Sequence, residues 1–188
     1  MTLLKRGQLA HPQHAELRAG RPVLVRPPTG QAAGVLQRLE RELGAAAAGR
    51  GAQVASRPLV RLSVSDLWRP HLGLFPAREA GSVRLLGATV EARRALLLVV
   101  LTNNGTKDER LAGYASAGVR ELWCVSLCHG WTVRYRSPWA GVYGSRTLWY
   151  PGEGVPVGGL GGVQVEALEE GFQPAGLFEG GPDCGSRA

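Results

Sequence analysis

The sequence predicts a mixed α/β domain, and three stretches predict it. LLLVVL, residues 96–101, is an unbroken apolar run that turns polar at TNNG, the pattern of a strand buried on both faces. Val35, Leu36, Leu39 and Leu43 recur at helical spacing, with Arg38, Glu40, Arg41 and Glu42 on the other side. ELWCVSL and WTVRYR then read as two further strands. Strand, helix, strands, helix, strands is a mixed order, unlike the regular alternation of a doubly wound sheet.

In chain order, residues 8–19 have the pattern of a short amphipathic helix ending at Gly20. RPVLVR (21–26) reads as a strand that PPTG stops, and Thr29 stands where an N-cap is wanted. The long helix begins at Gln31, and GAAAAGRG closes it. Short strands are expected near 53–56, 59–64 and 72–75, a hairpin-like piece near 83–90, and the apolar strand at 95–101. TNNGTKDERLAGYASAG is loop and then helix, with Leu111, Tyr114 and Ala115 on one face and Gly118 as its stop. Residues 151–163 are rich in Gly and Pro and read as irregular.

A chain of 188 residues makes one domain, here 1–175, followed by a flexible acidic tail over 176–188. No stretch reaches the roughly 18 uncharged apolar residues of a membrane span, and MTLLKRGQLAHPQH has no apolar leader core. A cytoplasmic location with no membrane partner is therefore expected, and association with the nucleoid is compatible with it. Three cysteines are too few for a disulfide framework. Cys124 and Cys128, four residues apart on one strand, stand too far apart to bridge and read as small buried apolar residues. A metal site made of these two and His129 is the weaker reading.

The net charge of +7 sits in the first third. Residues 1–61 hold ten basic against three acidic residues, whereas residues 62–188 hold twelve of each. Of the 22 basic residues, 20 are Arg, the better side chain for bidentate phosphate contact and for stacking on bases. Coding bias explains Arg over Lys but not the clustering, which points to a polyanionic partner.

Three stretches together resemble a known family. RPPTGQAAGVLQRLERELGAAAAGRG is similar to its first long helix, VRLSVSDLWRPHLGLF to its middle strands, and LLLVVLTNNGTKDERLAGYASAGVRELWCVSL to its most characteristic block. The family is the Uma-type restriction endonucleases, inside the PD-(D/E)xK nuclease-like superfamily, and the resemblance spans roughly residues 15–170. It implies a restriction-endonuclease-like mixed β-sheet flanked by helices, often as a homodimer. It also implies Mg²⁺ held by carboxylates, with a Lys beside the scissile phosphate. A hard cation takes oxygen ligands, polarises phosphate and activates water.

At the three positions that carry this chemistry the chain departs from the family. His71 stands in the place of the first acid, Val99 in that of the second, and Arg110, four residues before Tyr114, in that of the Lys. A Val cannot bind a metal, and an Arg cannot exchange a proton near neutral pH. The expectation is a degenerate centre with no catalytic residue, no metal and no cofactor, in a protein that is not an enzyme. Asp66, Asp108 and Glu109 are the acids that would rescue a metal site.

An emptied cleft that keeps its arginines is expected to bind DNA. Arg110 remains available for phosphate, Arg38 and Arg41 share a helix face, and Arg57, Arg61 and Arg69 lie near the middle strands. A solvated helix face accounts equally well for Arg38 and Arg41. WTVRYRSPWAGVYGSRTLWY (131–150) interleaves Trp131, Tyr135 and Trp139 with Arg134 and Arg136 and contains no acid. That combination suits stacked bases with a tracked backbone, although strand alternation makes a core hairpin an equally ordinary reading. DNA that is single-stranded or has free ends is the expected partner, with a homodimer as the assembly and DNA protection or repair as the role. The alternatives are an active metal-dependent endonuclease with relocated ligands and a protein-interaction module.

Overall fold

Residues 15–78, 89–102 and 108–174 are described in the computed structural model, Asp108 in its backbone only. The first strands are β1 (Ala15–Arg18) and β2 (Arg21–Leu24), followed by helix α1 (Gln31–Ala47). Next come β3 (Ala52–Ser56), β4 (Val60–Arg61), β5 (Leu67–Trp68), β6 (Leu72–Pro76) and β7 (Val90–Glu91). A 3₁₀ turn (Ala92–Arg94) leads into β8 (Leu97–Thr102), which helix α2 (Asp108–Ser116) connects to β9 (Glu121–Ser126). β10 (Trp131–Trp139), β11 (Val142–Trp149), β12 (Gly154–Pro156) and β13 (Gln164–Glu166) complete the described order.

The large sheet runs β11–β10–β9–β8–β6–β3, and a smaller one runs β2–β1–β5–β4–β7. β8 and β9 are parallel, as the intervening helix requires, while β6 pairs antiparallel with β8. Side chains alternate across β8. Leu97, Val99 and Leu101 join Leu36, Leu39 and Leu43 of α1 in one core. Leu98 and Val100 join Tyr114 of α2, Trp68 and Val60 in the other. The apolar run at 96–101 is thus buried on both faces as its composition demanded. The two helices lie on opposite sides of the large sheet.

Three sequence expectations change. Residues 15–18 are a strand, antiparallel to β2 and touching β5 through Leu17 and Leu67, where a helix was expected. Gly30 is the N-cap of α1 and no side chain caps the helix, so Thr29 does not serve as one, and α1 runs on through the alanines to Ala47. β10 continues through Pro138 and forms a long hairpin with β11. Cys124 is a buried thiol outside any disulfide, whereas Cys128 is disulfide-bonded. Among the described residues no helix is long and apolar enough to cross a membrane. The expected helix start at 8–14, most of the expected hairpin at 83–90 and the tail at 176–188 lie outside the described residues.

Gly113 lets α2 approach the small sheet. A methyl group there would run into the Trp68 ring, and that ring supports the residue around which the candidate site is built.

Candidate nucleic-acid interface

The α2 side of the sheet gathers charged groups around Glu16, a residue the sequence reading had passed over. The β1 strand turns Glu16 inward, and its side chain is fully buried. Its Oε2 accepts from Arg18 Nε at 2.9 Å and Nη2 at 2.7 Å. Its Oε1 accepts from Arg110 Nη2 at 3.0 Å and from the Arg69 backbone N–H at 2.8 Å. Arg110 also lies over the Trp68 ring, 5.5 Å from its centre, and Trp68 meets Tyr114 edge to face at 5.1 Å. The Arg110 Nε is buried with no acceptor.

Arg57 and Arg69 close the group. Arg69 donates through Nε to the Ala15 carbonyl at 3.0 Å and through Nη1 to the Arg57 carbonyl at 3.1 Å. Arg57 adopts φ 48°, a left-handed conformation that costs a non-glycine residue about 1–3 kcal/mol and tends to occur at functional sites. Its N–H donates to the His71 carbonyl at 2.9 Å. Burial pulls both guanidinium groups below their ordinary pKa, and for Arg69 the neighbouring Arg57 charge adds to this. With His71 neutral, the described side chains here are four guanidiniums and one carboxylate, an excess of three positive charges.

The charge of Arg110 is felt at His71, whereas the Val99 side chain faces the other side of the sheet. The Val99 carbonyl accepts the His71 N–H at 2.9 Å, while its side chain is fully buried in the α1-side core. His71 Nδ1 accepts the Leu101 N–H at 3.0 Å, which assigns the imidazole proton to Nε2. Neither nitrogen then offers a lone pair to a metal. Glu16, with both oxygens held by donors, offers little more.

Asp66 is taken by a turn: it accepts from the Ala19 N–H and the Ser63 and Ser65 hydroxyls, and the Ser63 bond above all lowers its pKa. Glu109 is exposed on α2, and the Asp108 side chain lies outside the described residues. Among the described residues no group of three metal-ligating side chains occurs. The Mg²⁺ implied by the resemblance does not fit the side chains that are described.

The state of His71 carries a pH prediction. Burial first, then the charges of Arg110 and Arg57, push its pKa from 6.5 to about 4. Between these values the unfolded chain takes up a proton that the folded one refuses. This contribution to stability is complete above pH 6.5 and is lost as pH falls towards 4, amounting to about 2–3 kcal/mol by pH 4.5. Urea unfolding at pH 7.5 and 4.5 measures it. His71→Asn should lose less stability than the native chain over that interval; identical losses would contradict the burial of the ring.

The remaining sequence-named residues are dispersed. Arg38 is half-buried and Arg41 exposed on α1, across the sheet from Glu16, and Arg41 bonds Glu42 at 3.2 Å. Arg61 lies 3.8 Å from Glu91 at the edge of the small sheet. Arg134 and Arg136 reach the buried Glu121 at 2.9 and 3.6 Å. Trp131 is stacked on His129, and Tyr135 leans on Tyr143 in the second core, so neither ring is an open platform. Trp139 is 80% exposed at the end of the hairpin, whose turn lies against α2 near Ser116. Of the expected interface, Arg57, Arg69 and Arg110 lie on the α2 side.

This arrangement is the restriction-endonuclease-like fold: a mixed sheet with helices on both faces. The chain is similar to the crystal structure of "a putative nuclease belonging to DUF820" from Anabaena variabilis, with a TM-score of 0.65 over 81% of this chain and 87% of that one, at 11% identity. No family model and no curated protein sequence matches the chain. The likeness corrects one expectation, that the chain is not an enzyme, because the protein whose fold it shares is described as "a putative nuclease". The physical error was to judge activity from three aligned positions. The folded chain assembles its charged centre around Glu16 of β1, a residue outside those three positions.

Proposed function

We propose that this chain is an enzyme of the nuclease class that acts on nucleic acid, binding the phosphodiester backbone across its α2 face. One observation carries the reading: among the described side chains, four guanidinium groups crowd one buried carboxylate, and Arg110 keeps a buried N–H without an acceptor. A phosphate would relieve the excess charge and accept that N–H. Charge developing on a phosphate under attack would be met by the same groups, the kind of contact whose loss lowers turnover by roughly 10²–10³-fold. Glu16 is held by its donors and neutral His71 presents an N–H, so neither takes a proton from water. Lys107 and Asp108, which adjoin the start of α2 in the sequence, are the candidates for that role.

The preferred substrate in this proposal is single-stranded, or has free ends, because Trp139 is exposed at the end of a hairpin whose turn lies against α2, the helix that carries Arg110. Stacking of one base on such a ring contributes about 1–3 kcal/mol. Labelled single-stranded and duplex DNA, incubated with and without Mg²⁺ or Mn²⁺, test catalysis. Cleavage should fall at least about tenfold in Arg110→Ala and in Asp108→Ala. Absence of cleavage under every condition would defeat the enzymatic half. Polarisation titrations test binding separately. Trp139→Ala should weaken single-strand affinity roughly 5–100-fold and duplex affinity much less, and affinity should fall steeply as salt rises. Salt-independent binding would remove the phosphate contacts from the argument.

A further inference from the structure

A second basic concavity lies at the opposite end of the strands. β8 runs from Leu97 towards the Leu101 that bonds His71, so Leu96, just before it, stands five residues, or about 16 Å of extended chain, from the Leu101 end beside the Glu16 centre. The cavity, of about 560 Å³, is lined by Pro76, Ala95 and Leu96 together with Arg78, Arg93, Arg94 and Arg120. All four arginines are exposed, and no carboxylate lines the cavity among the described residues. Among the described residues the Arg93 and Arg120 side chains make no hydrogen bond or ion pair. They come from different elements, Arg93 from the 3₁₀ turn before β8 and Arg120 from the residue before β9. The parallel pairing of β8 with β9 brings those two strand starts side by side.

A solvated surface would spread four like charges apart. Here they line a concavity of the size that takes small ligands, together with Pro76, Ala95 and Leu96. Guanidinium forks match phosphate oxygens, and the apolar part of the lining suits the flat body of a base. We propose that this pocket binds a nucleoside phosphate carrying two or more negative charges, as a free nucleotide or as the phosphorylated end of a strand. The proposal is independent of the reading of the Glu16 centre.

Calorimetric titration of the full chain with ATP, adenosine and inorganic tripolyphosphate tests it. ATP should bind at least tenfold more tightly than either fragment, and the Arg93→Ala/Arg120→Ala double variant should weaken ATP at least tenfold. Arg110→Ala should leave ATP binding unchanged, which separates this pocket from the Glu16 centre. A 5′-phosphorylated oligonucleotide that displaces ATP, where its 5′-hydroxyl counterpart does not, assigns the pocket to strand ends. Failure of both to displace ATP assigns it to free nucleotides. Equal ATP affinity in the double variant, tripolyphosphate binding as tightly as ATP, or no binding of ATP would each overturn the proposal. Both substituted residues are exposed, and an unchanged melting temperature verifies that the double variant folds.

Discussion

Glu16→Ala is expected to destabilise the protein by about 3–5 kcal/mol, the cost of removing one partner from a buried ion pair. For a chain of this size that is a fall in Tm of roughly 6–20 °C. The carboxylate has no exposed surface and accepts three side-chain bonds and one backbone bond within 3.0 Å. Without it, Arg110 faces Arg57 and Arg69 across a cluster with no negative group among the described side chains, and the Arg69 N–H loses its acceptor. Arg18 can turn to solvent because its side chain is 41% exposed; Arg110, at 26%, is less able to do so. Adding Arg110→Met should therefore recover part of the loss, and a double-mutant cycle reads the coupling directly. DNA should raise the Tm of Glu16→Ala by more than that of the native chain, because phosphate then supplies the missing negative charge. A loss below about 1 kcal/mol would place the pair among solvent-screened surface contacts, and the centre would lose its basis.

What could be read from the chain beforehand divides along physical lines. α1 and β8 were legible because each carries its own signal: a 3.6-residue stripe through Val35, Leu36, Leu39 and Leu43, and an apolar run too short for a buried helix. Glu16 was not. It stands in a segment whose spacing also fits a helix, and a lone acid in a basic stretch reads as solvated. Its burial is created by residues 53 and 94 positions away, Arg69 and Arg110.

Val99 failed for a different reason. An aligned position fixes the residue but not the side of the strand it faces, and alternation along β8 sends Val99 into the α1-side core. The aromatic stretch was half legible. Tyr135 obeys the in-and-out rule of a core hairpin, whereas the exposure of Trp139 follows from the reach of β10 past Pro138 to its end. The four arginines of the second pocket come from segments up to 42 residues apart and carry no local motif.

The other large effect is expected on the far face. Glu121 is 2% exposed at the start of β9, and it accepts from Trp123 Nε1 at 2.8 Å, Arg134 Nη2 at 2.9 Å and the Gly158 N–H at 3.2 Å. Arg134 is itself nearly buried and already has one N–H without an acceptor. Glu121→Ala would orphan the indole of the fully buried Trp123 and leave the Arg134 charge uncompensated. A loss of about 3–5 kcal/mol follows, of the same order as for Glu16. The same carboxylate ties the sheet to the segment between β12 and β13, so limited proteolysis should cut that segment sooner in the variant. Gly158→Ala should reproduce this in part, because a methyl group there meets the Glu121 carboxylate.

The consequences for binding should differ from those at Glu16. Glu121 and its arginines lie on the α1 side of the sheet, away from Arg110. Single-strand affinity, measured at a temperature where the Glu121→Ala variant is fully folded, should stay within about twofold of the native value, as for sites that share no partners. A tenfold loss of affinity, with stability intact, would move the nucleic-acid surface to the α1 side and reverse the assignment of faces made here.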